Sequence, residues 1–274
     1  MKKPVPARVH IILARDSDTA IVIRRGPSNA VCTMLWDRRK DTFKLGQWLR
    51  GRIYERRCDL SPDGRYFIYF AMNGRWDGPL KGSWTAISKA PYLKAIGLWA
   101  KGDCWHGGGL FLDKRSYWLN GSGLEQRQFP GQLVHKPELP FHESYGGECR
   151  GVQFIQLQRD GWKLIGHESE KENSLSFFEK KVNPSWVLRK TARAGSPDVI
   201  GKGCYFDWHS LHNHRTGQVI ECPDWEWADL DGRRVVWVSA GILYAAKLTG
   251  DRLMAKKALH DFNGMKFEAV PAPY

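Results

Sequence analysis

The densest set of metal-ligating side chains in the chain is His209-Ser-Leu-His212-Asn-His214, with Cys204 and Asp207 just ahead of it. Neutral imidazole is a good zinc donor, so three histidines with one thiolate or carboxylate could fill a tetrahedral site. On a strand, however, His212 and His214 share a face while His209 points to the other. The segment also falls where a polar hairpin turn is expected, so no metal ligand and no cofactor is assigned to it. His135, His142 and His167 stand alone in the sequence and read as structural.

Acyl transfer would need an oxyanion hole and a nucleophile. His106-Gly107-Gly108-Gly109 looks like the backbone donor loop of lipase-type hydrolases, where glycines let N–H groups face an oxyanion. That chemistry also requires a Gly-x-Ser-x-Gly elbow on an alternating α/β chain. No such pentapeptide occurs, and Gly121-Ser-Gly123 is too short to replace it. The glycines therefore read as a bend leading into Leu110-Phe111. Among carboxylates, Glu168, Glu170 and Glu172 with Lys171 read as a solvated connection between strands. Asp224-Trp-Glu-Trp-Ala-Asp229 reads as a strand with one buried Trp face. A glycosidase pair can be distant in sequence, and nothing here selects its two members. Neither phosphate-binding glycine signature is present in a strand-to-helix context, so Gly201-Lys-Gly203 is a turn. No catalytic, cofactor-binding or metal residue is assigned, and the question of enzyme or not stays open, leaning against.

Arginine and aromatic residues interleave at Trp36-Asp-Arg-Arg-Lys40 and at Trp48-Leu-Arg-Gly-Arg-Ile-Tyr54. Stacking plus phosphate pairing is how single strands are held, which makes nucleic acid one candidate partner. The competing reading is arginine stems laid over buried Trp.

The elements that would position any site are repeated hairpins. Cys58-Asp-Leu-Ser-Pro-Asp-Gly-Arg-Tyr-Phe-Ile-Tyr-Phe70 places Pro62 and Gly64 in a tight reversal ahead of an aromatic strand. Trp227-Ala-Asp-Leu-Asp-Gly-Arg-Arg-Val-Val-Trp-Val-Ser239 has the same grammar. Weaker copies turn near Ser17, Lys114 and Asp160-Gly161, the last joining strands over Phe154–Ile165. Turn centres near 17, 63, 114, 160 and 231 lie 46, 51, 46 and 71 residues apart. Three of these intervals are close to the ~40–50 residues of a four-stranded propeller blade; the last is too long for one and too short for two.

Second strand pairs fill the gaps: 31–36 with 42–49, 83–88 with 95–99, 175–178 with 185–188, 204–208 with 216–220, and 242–248 with 252–255. An amphipathic helix competes only over Lys247–Leu259. The expected fold is thus all-β, a single propeller-like domain over residues 1–274 with about five or six four-stranded blades. A β-sandwich or irregular all-β domain could use the same hairpins.

The Ser61-to-Phe70 segment resembles the repeat of TolB-type and WD-repeat-like propellers, in which such a turn joins two strands of a blade. The match is clear over residues 58–70 and 227–248 and rhythmic elsewhere. It departs at Asp229-Leu230, where Ser-Pro is missing, and Gly-His to Trp-Asp pairs do not recur. The chain also resembles a bacterial family to which no motif assigns a reaction. The resemblance implies fold, and fold does not carry function.

Composition agrees with a folded β protein: aromatic residues reach 12%, with 13 Trp, and favour half-buried pleated strands. The net charge of +13 would attract nucleic acid, anionic lipid or an acidic protein, although the basic residues are spread with only short clusters such as Arg24-Arg25. Six scattered cysteines form no C-x-x-C pair. The first residues carry no apolar h-region and no segment approaches ~18 apolar residues. The expectation is a cytoplasmic protein without a membrane anchor and with reduced thiols. Its function is expected to be a protein–protein interaction or scaffold module with no catalysis of its own. The alternatives are a nucleic-acid-associated protein, or a hydrolase using a central pocket and the His209–His214 segment.

Overall fold

Runs such as Tyr66–Met72 and Arg234–Ser239 combine β-branched and aromatic residues, and each is flanked by a Gly-containing turn. That composition builds antiparallel hairpins, and the computed structural model is mostly β. It describes residues 5–26, 29–121, 123–140, 145–146, 148–170, 173–197, 202–250 and 252–274. His142, Ser122, Lys171, Glu172 and Gly201, which figure in the readings above, lie outside the described residues.

The chain divides into two compact units, one of residues 1–156 and 265–274, the other of residues 157–264. The first unit opens with a four-stranded antiparallel meander, β1 (Arg8–Leu13), β2 (Thr19–Arg25), β3 (Ala30–Asp37) and β4 (Thr42–Arg50). A second sheet is built from β5 (Arg52–Ile53), β6 (Asp59–Leu60), β7 (Tyr66–Met72), β8 (Ser83–Lys89) and β9 (Ala95–Ala100). Next come β10 (Gly109–Phe111), β11 (Ser116–Leu119), β12 (Glu125–Gln128) and β13 (Val134–His135). Of these, β12 joins the edge of the second sheet beside β9, whereas β10, β11 and β13 form a third. Strands β1, β6 and β10, the leading strands of the three hairpins that share the turn grammar, lie side by side. The core of this unit gathers Ile21, Ile53, Leu60, Phe67 and Tyr69 in one cluster and Ile68, Trp99, Phe111 and Tyr117 in another.

Helix α1 (Cys149–Arg159) follows. In the second unit β14 (Lys163–Glu170), β15 (Asn173–Lys181), β16 (Trp186–Ala194), β17 (Tyr205–Asn213) and β18 (Val219–Cys222) form a five-stranded meander. The last sheet contains β19 (Trp227–Asp231), β20 (Arg234–Ser239), β21 (Ile242–Thr249), β22 (Arg252–Leu253) and β23 (Lys257–Asp261). Among the described residues the five sheets therefore hold three to six strands each. Four of the five second strand pairs read from the sequence are found as neighbouring strands; in the fourth, residues 205–208 pair with β16 alone, and it is 209–212, expected in a polar turn, that pair with β18, because β17 continues to Asn213.

Three further local expectations are corrected. Residues 154–159, read as the first arm of a hairpin, are the end of α1. Asp160-Gly161 is its C-terminal cap: the Trp162 N–H donates to Leu157 O at 2.9 Å and the Gly161 N–H to Gln158 O at 3.1 Å, with Gly161 at φ 91°. Conversely, 247–259, where a helix competed, holds the end of β21, then β22 and the start of β23, because β22 and β23 each find partners on β21. Glu168 and Glu170 are also not in a loop; they are exposed residues of β14.

Candidate binding cleft

Three of the turns marked by the repeat meet in the first unit. In the second of them, Ser61 is the organiser. Its fully buried hydroxyl donates to Asp63 Oδ1 at 2.7 Å and accepts the N–H groups of Arg65 (3.0 Å) and Tyr66 (2.9 Å). Gly64 closes the turn at φ 74°. In the third turn Asp113 plays the corresponding part, with Oδ1 accepting from the N–H groups of Arg115 and Ser116, both at 2.7 Å. Those N–H donors hold its carboxyl below the usual range, so it stays ionised. The first turn, residues 14–18, is clamped from outside by Arg38, whose guanidinium donates to Ala14 O (3.0 Å) and Ser17 O.

The turns are joined to one another by short contacts. The Asp16 N–H donates to Pro62 O at 2.8 Å. A Cβ added to Gly64 would lie 2.0 Å from Thr19 Oγ1, so glycine is what lets the second turn seat on the first. Arg15 Nη2 donates to Phe111 O at 3.2 Å, and Lys114 Nζ stands 3.8 Å from Asp16 Oδ2. Together they enclose an open cleft of about 440 Å³ lined by Arg15, Asp16, Pro62, Leu112 and Asp113 to Arg115. Its volume is that of a small-ligand pocket, but such pockets are mostly apolar. Here three cationic and two anionic side chains line the walls, with Lys114 and Asp16 both more than half exposed. The chemistry on offer is charge-assisted hydrogen bonding to a polar side chain or peptide carbonyl.

The sequence marked these turns as structure and assigned no site to them. The signal that finds them is the repeat itself, because residues at equivalent turns of neighbouring hairpins fall on the same end of their strands.

The residues singled out for chemistry are dispersed. His209 is buried in the second unit, with Nδ1 2.9 Å from Trp225 O and Nε2 2.8 Å from Lys190 Nζ. Lys190 also lies 3.6 Å from Asp207 Oδ2 and over the Trp162 ring. His212 Nε2 contacts Ser210 Oγ at 2.8 Å, and His214 stands 3.7 Å from Glu179. The three imidazoles thus keep separate partners, and among the described residues no group of three or more His, Cys, Asp or Glu is placed to hold a metal. His135 lies against the Tyr117 ring and His167 contacts Ser176.

The triple glycine does not form an oxyanion hole. The Gly107 N–H donates to Asn120 O and the Gly108 N–H to Thr85 Oγ1, both at 2.9 Å, and a Cβ at Gly108 would lie 1.9 Å from Arg57 O. The bend exists for close packing beside β10. Trp225 and Trp227 are both buried, with Trp225 stacked on Trp237 at 4.4 Å. Trp36 is fully buried against Phe43 and buried Arg24 lies 5.6 Å over Trp48, whereas Arg50 and Arg52 of the second stretch are exposed, with Arg52 over Tyr54. The six cysteines are free thiols; burial pushes Cys32 and Cys222 up to about 12, out of the nucleophilic range.

The chain matches no protein-family model and no curated protein. Among solved structures it is similar to the uncharacterised protein lmo1340 of Listeria monocytogenes. That likeness has 7% identity and a TM-score of 0.27, over 94% of this chain and 67% of that one. Among the described residues no helix is long and apolar enough to cross a membrane.

Proposed function

We propose that the chain is a propeller-like interaction module of the cytoplasm that holds another protein at the turn-lined cleft and performs no catalysis of its own. The observation that carries this reading is the convergence of three equivalent turns, from three successive sheets, on one open and charged cleft. Binding residues concentrate on loops held by a rigid frame, and here the frame is β1, β6 and β10 side by side. The same reading takes the five sheets as blades, with the meander order of β1–β4 and of β14–β18 and the 46- and 51-residue spacing of the first three turns in support. The cytoplasmic assignment is supported by six free thiols.

The test is a tagged pull-down from native lysate, with and without nuclease, beside a Lys114→Glu/Arg115→Glu variant. A protein partner that survives nuclease and is lost from the variant is the expected result. A partner held equally by both proteins would remove the cleft from the interface. Loss of every protein partner after nuclease would end the protein-binding reading.

A further inference from the structure

The opposite end of the same strands has a different chemistry. Arg8, at the start of β1, is paired in register with Arg25, at the end of β2. Like charges directly opposite across an antiparallel pair are destabilising, so this choice runs against local stability. One carboxylate moderates it: Glu55 Oε1 lies 3.1 Å from Arg25 Nη2 and 3.7 Å from Arg56 Nη1. Glu55 is one charge facing several. Glu55 has the largest single influence on Arg25 and favours its charge, but burial and then the guanidiniums of Arg52, Arg8 and Arg56 together outweigh it and lower the affinity of Arg25 for its proton. Arg52 lies flat over Tyr54, 4.4 Å from the ring centroid. Arg8 and Arg52 are exposed.

Beside this cluster two indoles are presented to solvent. Buried Arg57 donates from Nη1 to Cys104 O at 2.7 Å and to His106 O, fixing the carbonyls on both sides of Trp105. The Trp105 N–H donates to Asp103 Oδ1 at 2.9 Å, so the backbone is held from three directions while the side chain is 60% exposed. The neighbouring loop offers Trp76, 50% exposed, with its ring over Gly82. The two loops are tied by Ser83 Oγ donating to Asp103 O at 2.6 Å and by the Lys101 N–H donating to Ser83 O at 2.9 Å. A large ring left in water on a backbone that is held in place is a stacking platform.

We infer that this end of the first unit binds single-stranded nucleic acid, with Arg8, Arg25, Arg52 and Arg56 on the phosphates and Trp105 and Trp76 under the bases. Guanidiniums in a cluster match phosphate oxygens, and exposed rings beside them match unpaired bases; the two features together favour a nucleic acid over an acidic protein. The site lies about one strand length, roughly 20 Å at 3.4 Å per residue, from the turn-lined cleft. It therefore stands independently of the protein-binding reading.

The experiment is fluorescence anisotropy of a labelled oligodeoxythymidine of about twelve nucleotides, titrated with the full chain across salt concentrations. Saturable binding is expected, with log K falling linearly against log salt at about −0.7 per phosphate neutralised. The Arg8→Gln/Arg52→Gln/Arg56→Gln variant flattens that slope by about 2. Trp105→Ala weakens binding by roughly fivefold to a hundredfold at fixed salt and leaves the slope unchanged. If the triple variant fails to fold by circular dichroism, Arg52→Gln alone carries the test, with a slope change of about 0.7. At 0.15 M salt the Debye length is about 8 Å, so Lys114→Glu/Arg115→Glu leaves the oligonucleotide affinity unchanged. The inference is overturned if wild-type protein does not bind at low salt or if the arginine variants keep the full slope. It is also overturned if heparin is held as tightly as the oligonucleotide with no effect of Trp105→Ala.

Discussion

The two ends of the leading strands in the first unit are held in order by different forces. At the turn end the contacts are short and neutral: the Asp16 N–H on Pro62 O, the Ser61 hydroxyl inside its own turn, and Gly64 pressed on Thr19. At the arginine end the organising group is a single largely buried carboxylate, Glu55, among guanidiniums. The seating of the second turn on the first comes mainly from shape, with charge confined to groups such as Arg38 and Asp113 that hold single turns. The second kind of order comes from charge. One set of strands can therefore present a fixed cleft of mixed charge at one end and a strongly basic surface at the other.

The sharpest way to break the contrast is at Gly64. A Cβ there would sit 2.0 Å from Thr19 Oγ1 on a residue at φ 74°. Left-handed strain of about 1–2 kcal/mol adds to overpacking of about 1–3 kcal/mol, so Gly64→Ala should cost about 4 kcal/mol. Urea unfolding of the full chain would show it as an earlier first transition, equally at pH 7 and pH 4 and at low and high salt. A double-mutant cycle with Thr19→Ala should recover much of the loss, since the clash is local. A loss that varied with salt would mean that the turn end, too, depends on charge.

Glu55 tests the other side. Burial works against its ionisation, but Arg25, Arg56 and His10 overcome that and lower its carboxyl from 4.5 to about 2. A depressed carboxyl stabilises the fold above its unfolded value, and the contribution is lost as pH falls from about 4.5 toward 2. At 1.36 kcal/mol per unit the ion cluster contributes about 3 kcal/mol near neutrality. Glu55→Gln should therefore lose about that much at pH 7 and nothing near pH 2, with the two stability curves converging on acidification. Parallel curves would show that Glu55 acts through packing alone.

How much of this was legible in the sequence depends on range. The hairpins at the strongest turns and most second strand pairs were, because aromatic and β-branched runs and Gly-containing turns are local signals, as at Tyr66–Met72 and Ser61–Gly64; the short strands β12 and β13 carry no such signal and were not. The helix Cys149–Arg159 was not. Ile155-Gln-Leu-Gln158 alternates apolar with polar, as a half-buried strand would. The helical period is hidden because Gln153 and Gln156 face inward. Gln156 is satisfied there by donating to Cys58 O at 3.1 Å and Asp59 Oδ1 at 2.9 Å, partners nearly a hundred residues away. The candidate sites were hidden for the same reason. Each turn could be read alone, but the meeting of residues 15, 62 and 114 at one cleft is a long-range outcome. The Arg52-Ile-Tyr54 stretch did stand out as a basic–aromatic mixture, and Glu55 follows it directly, yet nothing in the sequence places Arg8, Arg25 or Trp105 beside it.

The smallest expected effect concerns the same dipeptide in its other setting. Asp63-Gly64 reverses a hairpin, whereas Asp160-Gly161 ends a helix, and both glycines have positive φ. A Cβ on Gly161 would meet only Lys180 Cε at 3.7 Å, an ordinary contact. Gly161→Ala therefore bears the left-handed strain without the clash, about 1 kcal/mol. Thermal unfolding should show a small shift, and Gly161→Asn should cost less than Gly161→Ala because asparagine tolerates that conformation. If Gly161→Ala instead costs as much as Gly64→Ala, φ alone sets the penalty at both positions, and the seating of the second turn on the first adds nothing.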